Sequence, residues 1–429
     1  MLIPTLSYLA ITASLSSAKL LDSSLSDAQI ISAAALVNSS ASFTSFLNTI
    51  ALGSKPSSAF TAVNGIASDL NRSATNPIAL VGLLRRDGLA VDLDPSTEQL
   101  SGCGYPCSDN NVNKREPVPR AYTHAEGDAP WSVPEAQLRA ALYFPPAYSY
   151  GQKTPIVFIP GTGNYGKQSF FRNMGKKFGD GDIADPVYLN IPRYLLRDAQ
   201  ISAEYVAYAA KYISGVSKGQ KVAVMTWSQG SVDTHWALKY WPSARSKVAD
   251  VINISGDYKG FDSGFEAIGK ASESLWQQLP SSKFLATLRA DGGDSAYLPT
   301  TSIMSTTDNV VPQLGGPAAS GYIRDARNVG VTNVFIQETC ALQPGGVPYT
   351  HEGAMSSNLA FDLAVDAITH EGPGRLDRLN LAKTCSFAAT EGLTALDVVY
   401  TAGATTQALY NILAASGATG EPLIKPYAA

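Results

Sequence analysis

Charge is scarce in this chain. Asp, Glu, Lys and Arg make up 16% of its 429 residues, against about 25% in an average soluble domain. The signs nearly balance, with 32 basic and 36 acidic residues and a formal net charge of -4. That excludes the basic surplus of a nucleic-acid binder. Cysteine is equally sparse, four in all, so a small disulfide-held scaffold is excluded. There are also only four histidines, which shortens any search for a general base. Beyond the N-terminus no stretch offers the ~18 uncharged apolar residues of a membrane anchor. What is abundant is apolar: hydrophobic residues reach 45%, enough to bury a large core and to exclude global disorder. The length is roughly three times that of an average domain.

Residues 1–18 read MLIPTLSYLAITASLSSA. A short apolar core runs from Leu6 to Leu15, and Ser16 and Ala18 are small residues at -3 and -1 of a cut after Ala18. This is the pattern of a secretory signal peptide, too short to span a bilayer. The mature protein is therefore expected outside the cell, where disulfides persist. Residues 19–115 have a different composition, rich in Ser, Ala and Leu, with no tryptophan and one tyrosine, Tyr105. They end in a polar run, Ser108 to Arg120, that contains Lys114-Arg115 between Asn and Pro. A basic pair in exposed, extended chain resembles a kexin-type processing site. Arg85-Arg86 is a second candidate, and an ordinary solvated pair is the alternative for both. Cleavage after Arg115 would make 19–115 a partly helical propeptide and 116–429 the working domain. Cys103, Cys107 and the sequons at Asn38 and Asn71 fall in the propeptide. The sequon at Asn253 lies inside an apolar run and is expected to be buried and unmodified.

From Thr154 the chain alternates short apolar runs with helical patterns. The runs are PIVFIP (155–160), PVYLNIP (186–192), KVAVMTW (221–227), VADVINIS (248–255), TTSIMST (300–306) and VTNVFIQ (331–337). Such alternation predicts an α/β domain with a mostly parallel sheet covered on both faces. The chemistry then belongs at the carboxyl ends of the strands.

Two segments compete for it. Gly161-Thr-Gly163-Asn-Tyr-Gly166 follows a strand and fits a dinucleotide-binding fingerprint. Pro160 opening the turn and the absence of an acid capping the next strand disfavour that reading. A plain glycine turn and an oxyanion loop with Thr162 as donor remain. Thr226-Trp-Ser228-Gln-Gly230 resembles a nucleophile elbow, G-x-S-x-G, with Thr for the first Gly. A sharp strand-to-helix turn would raise Ser228 Oγ above the sheet and aim free N–H groups at the same point. The alternative for Ser228 is a helix N-cap.

A nucleophilic serine needs a base and an orienting acid, which follow it in the order Asp, His in this type of site. His124 precedes the serine. His235 lies two turns down the next helix, out of reach at about 1.5 Å per residue. His370 ends a helical run, and His351 sits in a loop after the last apolar strand, where catalytic groups cluster. His351 is therefore favoured. Asp308 and Asp257 both follow strands; Asp308 has the better spacing and Asp257 is the alternative.

Taken together, GDAPWSVPEAQLRAAL, PGTG, TWSQG, YWPSARSKV, GDYKG, SLWQQ, PTTSIMSTTDNVV and EPLIKPYA, in order from about Gly127 to Ala428, resemble the Candida antarctica lipase B family of secreted fungal α/β-hydrolases. The resemblance implies an α/β-hydrolase fold with a small lid helix within Phe265–Trp276. It implies Ser228, Asp308 and His351 as triad, and Thr162 and Gln229 as oxyanion donors. Trp227 would floor an alcohol-side pocket, and Asp257 and Gln278 would line the acyl side. It implies a Cys340–Cys385 disulfide, while Phe144 and Val187 stand where a second bridge would be. The expected activity is hydrolysis of carboxylic esters such as acylglycerols, by a monomer needing neither metal nor organic cofactor. Partners would be an ester or lipid substrate, with no nucleic acid. A short-chain esterase, an amidase, a transacylase and a non-catalytic binding protein on the same fold are the alternatives.

Overall fold

The structure is a computed structural model that describes residues 25–73, 76–90, 121–312 and 315–429. The signal peptide 1–18, Cys103, Cys107 and the Lys114-Arg115 pair lie outside the described residues.

A seven-stranded sheet forms the centre, in the order β1-β3-β2-β4-β5-β6-β7. The strands are β1 (Leu142–Tyr143), β2 (Thr154–Ile159), β3 (Ala184–Leu189), β4 (Val222–Trp227), β5 (Val248–Ile254), β6 (Thr300–Met304) and β7 (Val331–Phe335). All pairs are parallel except β1, which closes one edge antiparallel to β3. Every position of β3, β4 and β6 is buried. This is why those strands read as unbroken apolar runs rather than as alternating ones.

The helices of eight or more residues among the described residues are α1 (Asp27–Ala34), α2 (Ser40–Asn48), α3 (Ala59–Arg72), α4 (Pro77–Arg86), α5 (Ala199–Val216), α6 (Gly230–Tyr240), α7 (Asn358–Thr369) and α8 (Ala395–Ala414). Side chains of a strand alternate between faces. Val157, Ile159, Val187, Leu189, Val222 and Val224 accordingly pack with α5 and α6. Ile156, Phe158, Tyr188, Ala223 and Met225 pack with α7 and α8 on the other face. Chain order reverses about β2: β3 lies on one side of it and β4 on the other. The loops after β2 and β4 therefore meet at a topological switch point, where α/β sheets place their ligands.

The segment expected as a separable propeptide is built into this core. Capping boxes at Ser26/Gln29 and Ser39/Ser42 start α1 and α2. Asn76 caps α4, with Pro77 in its first turn, where a missing N–H costs nothing. Val63 and Ile66 of α3 and Leu80 and Leu84 of α4 share one hydrophobic cluster with Val398 and Ala402 of α8. Ile30, Phe43, Phe46 and Leu47 cluster with Leu409 and Leu413 of the same helix. Arg85-Arg86 ends α4 and is tied down: Arg86 pairs with Asp27 and Asp87, and Arg85 Nε donates to Ile50 O at 2.8 Å. A folded, paired helix end lacks the extended exposure of the processing site considered for it.

Cys340 and Cys385 form a disulfide with a Cα–Cα distance of 5.2 Å. Phe144 and Val187 are fully buried in the same cluster, filling with hydrocarbon the place of a second bridge. Asn253 is fully buried, so its sequon is out of reach of glycosylation. The lid expectation needs correction. Residues 264–269 form turns, and a helix is confined to Glu273–Gln277, capped by Ser272. Gly264 and Gly269 both have positive φ, which interrupts any longer helix.

Candidate active site

Ser228 follows the last residue of β4 in a left-handed conformation, φ 53°, a strained geometry for a residue with a side chain. Its N–H bonds Ile254 O at 3.1 Å, fixing the turn to β5. A Cβ on Gly230 would lie 2.8 Å from the carbonyl oxygens of both Ile159 and Pro160, so α6 can start here only with glycine. Thr226, in the place of the first motif glycine, points sideways instead: its hydroxyl donates to Asn253 Oδ1 at 2.6 Å. The clearance usually supplied by glycine is thus not needed at that position. Gln229 precedes the first residue of α6, so by position its N–H has no acceptor within the helix.

The loop after β2 comes close to this turn. A Cβ on Gly161 would sit 2.7–3.0 Å from Trp227 and Ser228 Cβ, which brings Thr162 beside the serine. Thr162 Oγ1 donates to Gln229 Oε1 at 2.7 Å and accepts from Gln278 Nε2 at 3.2 Å. Gln278 Nε2 also reaches Gln229 Oε1 at 3.0 Å. Gln278, expected to line the acyl side, bonds both Thr162 and Gln229 here.

A sequence-silent element holds the other side. Arg193, Tyr194 and Leu195 all have left-handed backbones, φ 61°, 56° and 58°, although none is glycine. Each costs about 1–2 kcal/mol. The turn aims two successive carbonyls at the oxyanion loops. Tyr194 O accepts from Gly163 N–H at 2.8 Å, and Leu195 O accepts from Gln229 Nε2 at 3.1 Å.

Asp308 and His351 meet as the motif order implied. Asp308 Oδ2 is 2.8 Å from His351 Nδ1, and Asp308 Oδ1 accepts from Val310 and Val311 N–H at 2.9 and 2.8 Å. Asn309 Oδ1 accepts the His351 N–H at 3.0 Å. Trp227 Nε1 donates to His351 O at 3.1 Å, and its ring lies 5.2 Å from the imidazole. Burial works against a charged ring, but the charge and hydrogen bond of Asp308 outweigh it and hold the His351 pKa above the ordinary value.

Ser228, His351, Thr162 and Trp227 line one cavity of about 190 Å³. Its walls are mostly apolar: Phe261, Phe265 and Leu275 on one side, Val310, Leu409 and Ile412 on another. Pro77 from the N-terminal helices closes part of it. Neither the sequence motifs nor the composition pointed to Pro77, Leu409 or Ile412; the Asn-Pro start of α4 was the available signal.

Asp257, the alternative acid, is fully buried and accepts from Ser231 Oγ at 3.1 Å, while the contact with His351 Nδ1 is made by Asp308. Burial, opposed by that hydrogen bond and by the charge of His351, pushes its pKa up to about 7. Asp233 is driven well above its ordinary value by burial and by the charge of Asp257. Asp257 Oδ2 and Asp233 Oδ1 have no hydrogen-bond partner among the described residues, which favours protonated, neutral carboxyls. Of the other histidines, His235 Nε2 bonds Gly293 O at 2.7 Å within the core, and His370 is the C-cap of α7. Among the described residues no three His, Cys, Asp or Glu side chains are grouped to hold a metal ion, and no helix is long and apolar enough to cross a membrane.

No protein-family model matches the chain. Over 209 residues it is 34% identical to lipase B of Pseudozyma antarctica, a stretch covering 47% of this chain and 60% of that protein. The match thus spans less than two thirds of that relative. The crystal structure of Aspergillus fumigatus lipase B superposes with a TM-score of 0.83 at 37% identity, covering 94% of this chain and 100% of that one.

Proposed function

The chain belongs to the lipase B family of fungal α/β-hydrolases, and from that premise we propose that it is a secreted, lipase-like carboxylic ester hydrolase. The Ser228, His351 and Asp308 side chains carry the reaction. The observation that carries this reading is the mostly apolar cavity that the strained Ser228, the Asp308-held His351 and Thr162 line together.

Ser228 Oγ attacks the ester carbonyl as His351 takes its proton, and the carbonyl oxygen becomes an anion. The N–H groups of Thr162 and Gln229 and the Thr162 hydroxyl receive it. In the resting arrangement that hydroxyl donates to Gln229 Oε1, so it must swing to reach the oxyanion. The swing leaves no orphan acceptor, because Gln278 Nε2 already donates to Gln229 Oε1. His351 then gives its proton to the leaving alcohol, breaking the C–O bond. Water repeats the sequence on the acyl-enzyme and releases the acid. Asp308 fixes the imidazole tautomer and balances its transient charge. Every proton moves between Ser228, His351, the leaving alcohol and water, so these steps call on no metal or cofactor. Apolar walls suit the hydrocarbon of an ester more than a charged or sugar-rich substrate.

Processing after Arg115, following removal of residues 1–18, would cut the chain without releasing α1–α4. Val63, Ile66, Leu80 and Leu84 are buried together with α8, and withdrawing each would cost about 1.5–3 kcal/mol. The 94% coverage by the Aspergillus fumigatus structure also extends beyond residues 116–429. The mature form on this reading is a nicked monomer that keeps Pro77 in the cavity wall. A denaturing mass spectrum of secreted protein should show two polypeptides, and a native one should show a single complex.

Turnover of p-nitrophenyl esters by wild type and Ser228→Ala tests the reaction. The variant should lose at least ~10³-fold in kcat; full retained activity would sink the assignment. Emulsified triacylglycerol against short soluble esters separates lipase from esterase action, and an anilide substrate tests for amidase action.

A further inference from the structure

A second cavity of about 190 Å³ borders the segment that follows β5. It shares no lining residue with the catalytic cavity. Tyr258, Leu288 and Ile323 are buried apolar residues in its lining. The charged groups around it are unevenly matched. Arg324 is already paired with Asp294 at 2.5 Å. The Lys259 ammonium reaches only neutral groups, the carbonyl oxygens of Pro317 and of Ala319, the latter at 2.7 Å. Arg289, at the end of the Lys283–Arg289 helix, is exposed, and its guanidinium has no partner among the described residues. Burial and the nearby charge of Arg289 both hold the Lys259 pKa below the ordinary lysine value. Lys259 and Arg289 thus line one mostly apolar cavity, and the carboxylate in that lining, Asp294, is already paired with Arg324. An anion that carries a hydrocarbon stem matches two such cations beside Tyr258, Leu288 and Ile323.

We infer that this cavity is a second binding site, for a short-chain carboxylate whose head lies between Lys259 and Arg289 and whose stem lies on Tyr258, Leu288 and Ile323. A carboxylic acid is also what ester hydrolysis releases, so the identification of this ligand as product rests on the function proposed above. The site is next to the chemistry in sequence. Tyr258 and Lys259 follow the buried Asp257, and Phe261 and Asp262 two residues on line the catalytic cavity. A carboxylate held here would bear on the segment that shapes the catalytic wall.

The test is isothermal titration of octanoate into enzyme whose Ser228 has first been capped with an alkyl phosphonate. One octanoate per protein is expected, with octanol (the same stem, uncharged) and acetate (the same head, no stem) each at least tenfold weaker. Arg289→Ala, at an exposed position, should weaken octanoate at least tenfold while p-nitrophenyl ester turnover stays at the wild-type value. Octanol binding as tightly as octanoate, undiminished binding to Arg289→Ala, or no binding to wild type would overturn the inference. If the phosphonate fails to label, the same titration into Ser228→Ala still reports on this cavity. Failure of the catalytic reading is thereby distinguished from failure of the second site.

Discussion

Thr162→Val removes the one hydroxyl proposed to serve the oxyanion while keeping the branched shape of the side chain. Thr162 Oγ1 stands 2.7 Å from Gln229 Oε1 and 3.2 Å from Gln278 Nε2, so it is already held beside the second donor residue. Loss of one such donor costs about 10²–10³ in kcat, or ~2.7–4 kcal/mol of transition-state stabilisation. The cost to folding is smaller. Gln229 Oε1 keeps its bond from Gln278 Nε2 at 3.0 Å, and that nitrogen keeps Ser274 O at 3.0 Å. Neither amide is orphaned, so destabilisation should fall near the low end of the ~1–3 kcal/mol typical of a lost buried partner. Steady-state hydrolysis of p-nitrophenyl butyrate, with denaturant unfolding in parallel, separates the two effects. The account predicts kcat lower by about 100-fold or more with KM little changed, because the hydroxyl acts only on the developing charge. Thr162→Ser should recover most of it. A folded Thr162→Val enzyme within ~5-fold of wild-type kcat would refute the assignment of this hydroxyl.

Three further perturbations address the surroundings. Arg193→Gly replaces an exposed left-handed residue with one that adopts this conformation freely. The relief of ~1–2 kcal/mol exceeds or cancels the ~0.5–1 kcal/mol entropy of a new glycine, so the melting temperature should hold or rise while kcat drops severalfold. An unchanged kcat would show that the turn does not position Gly163 and Gln229. Asp257→Asn tests the raised carboxyl. A folded-state pKa of about 7 against an unfolded value near 3.9 means the native state holds the extra proton. Stability then falls as pH rises from ~4 to ~7, and chemical denaturation of Asp257→Asn should show a flatter profile over that window. An equally steep profile would count against a neutral Asp257. The double variant Cys340→Ala/Cys385→Ala opens a loop of sequence separation 45 and should lose on the order of 4 kcal/mol by the chain-entropy model, read as a fall in the denaturation midpoint. No change would mean that the bridge constrains nothing in the unfolded chain.

The sheet was legible because its strands are buried on both faces, so KVAVMTW and TTSIMST could be read as apolar runs. β1 was missed because two residues carry no periodic signal. The order Ser228, Asp308, His351 and the scarcity of histidine singled out a candidate triad, and Asp308 lies 2.8 Å from the His351 imidazole. The packing of the N-terminal helices was not legible for a physical reason. Their Ser- and Ala-rich composition set them apart from the rest, while Val63, Ile66, Leu80 and Leu84 pack with a helix more than three hundred residues away in sequence. The small helix expected within Phe265–Trp276 starts only at Glu273, because Gly269 with its positive φ ends the turns before it. The Arg193–Leu195 turn left no trace in the sequence, since the residues that adopt it are those least suited to do so. Tertiary hydrogen bonds to Gly163 and Gln229 determine it instead.

The central claim is that Ser228, activated by His351, is the nucleophile. The most direct measurement is peptide mapping by mass spectrometry after brief exposure of the folded protein to a fluorophosphonate. The account predicts one adduct per chain, on the peptide containing Trp227-Ser228-Gln229, and its disappearance in His351→Ala. Folded protein that takes up no adduct, or takes it up on a different serine, would contradict it.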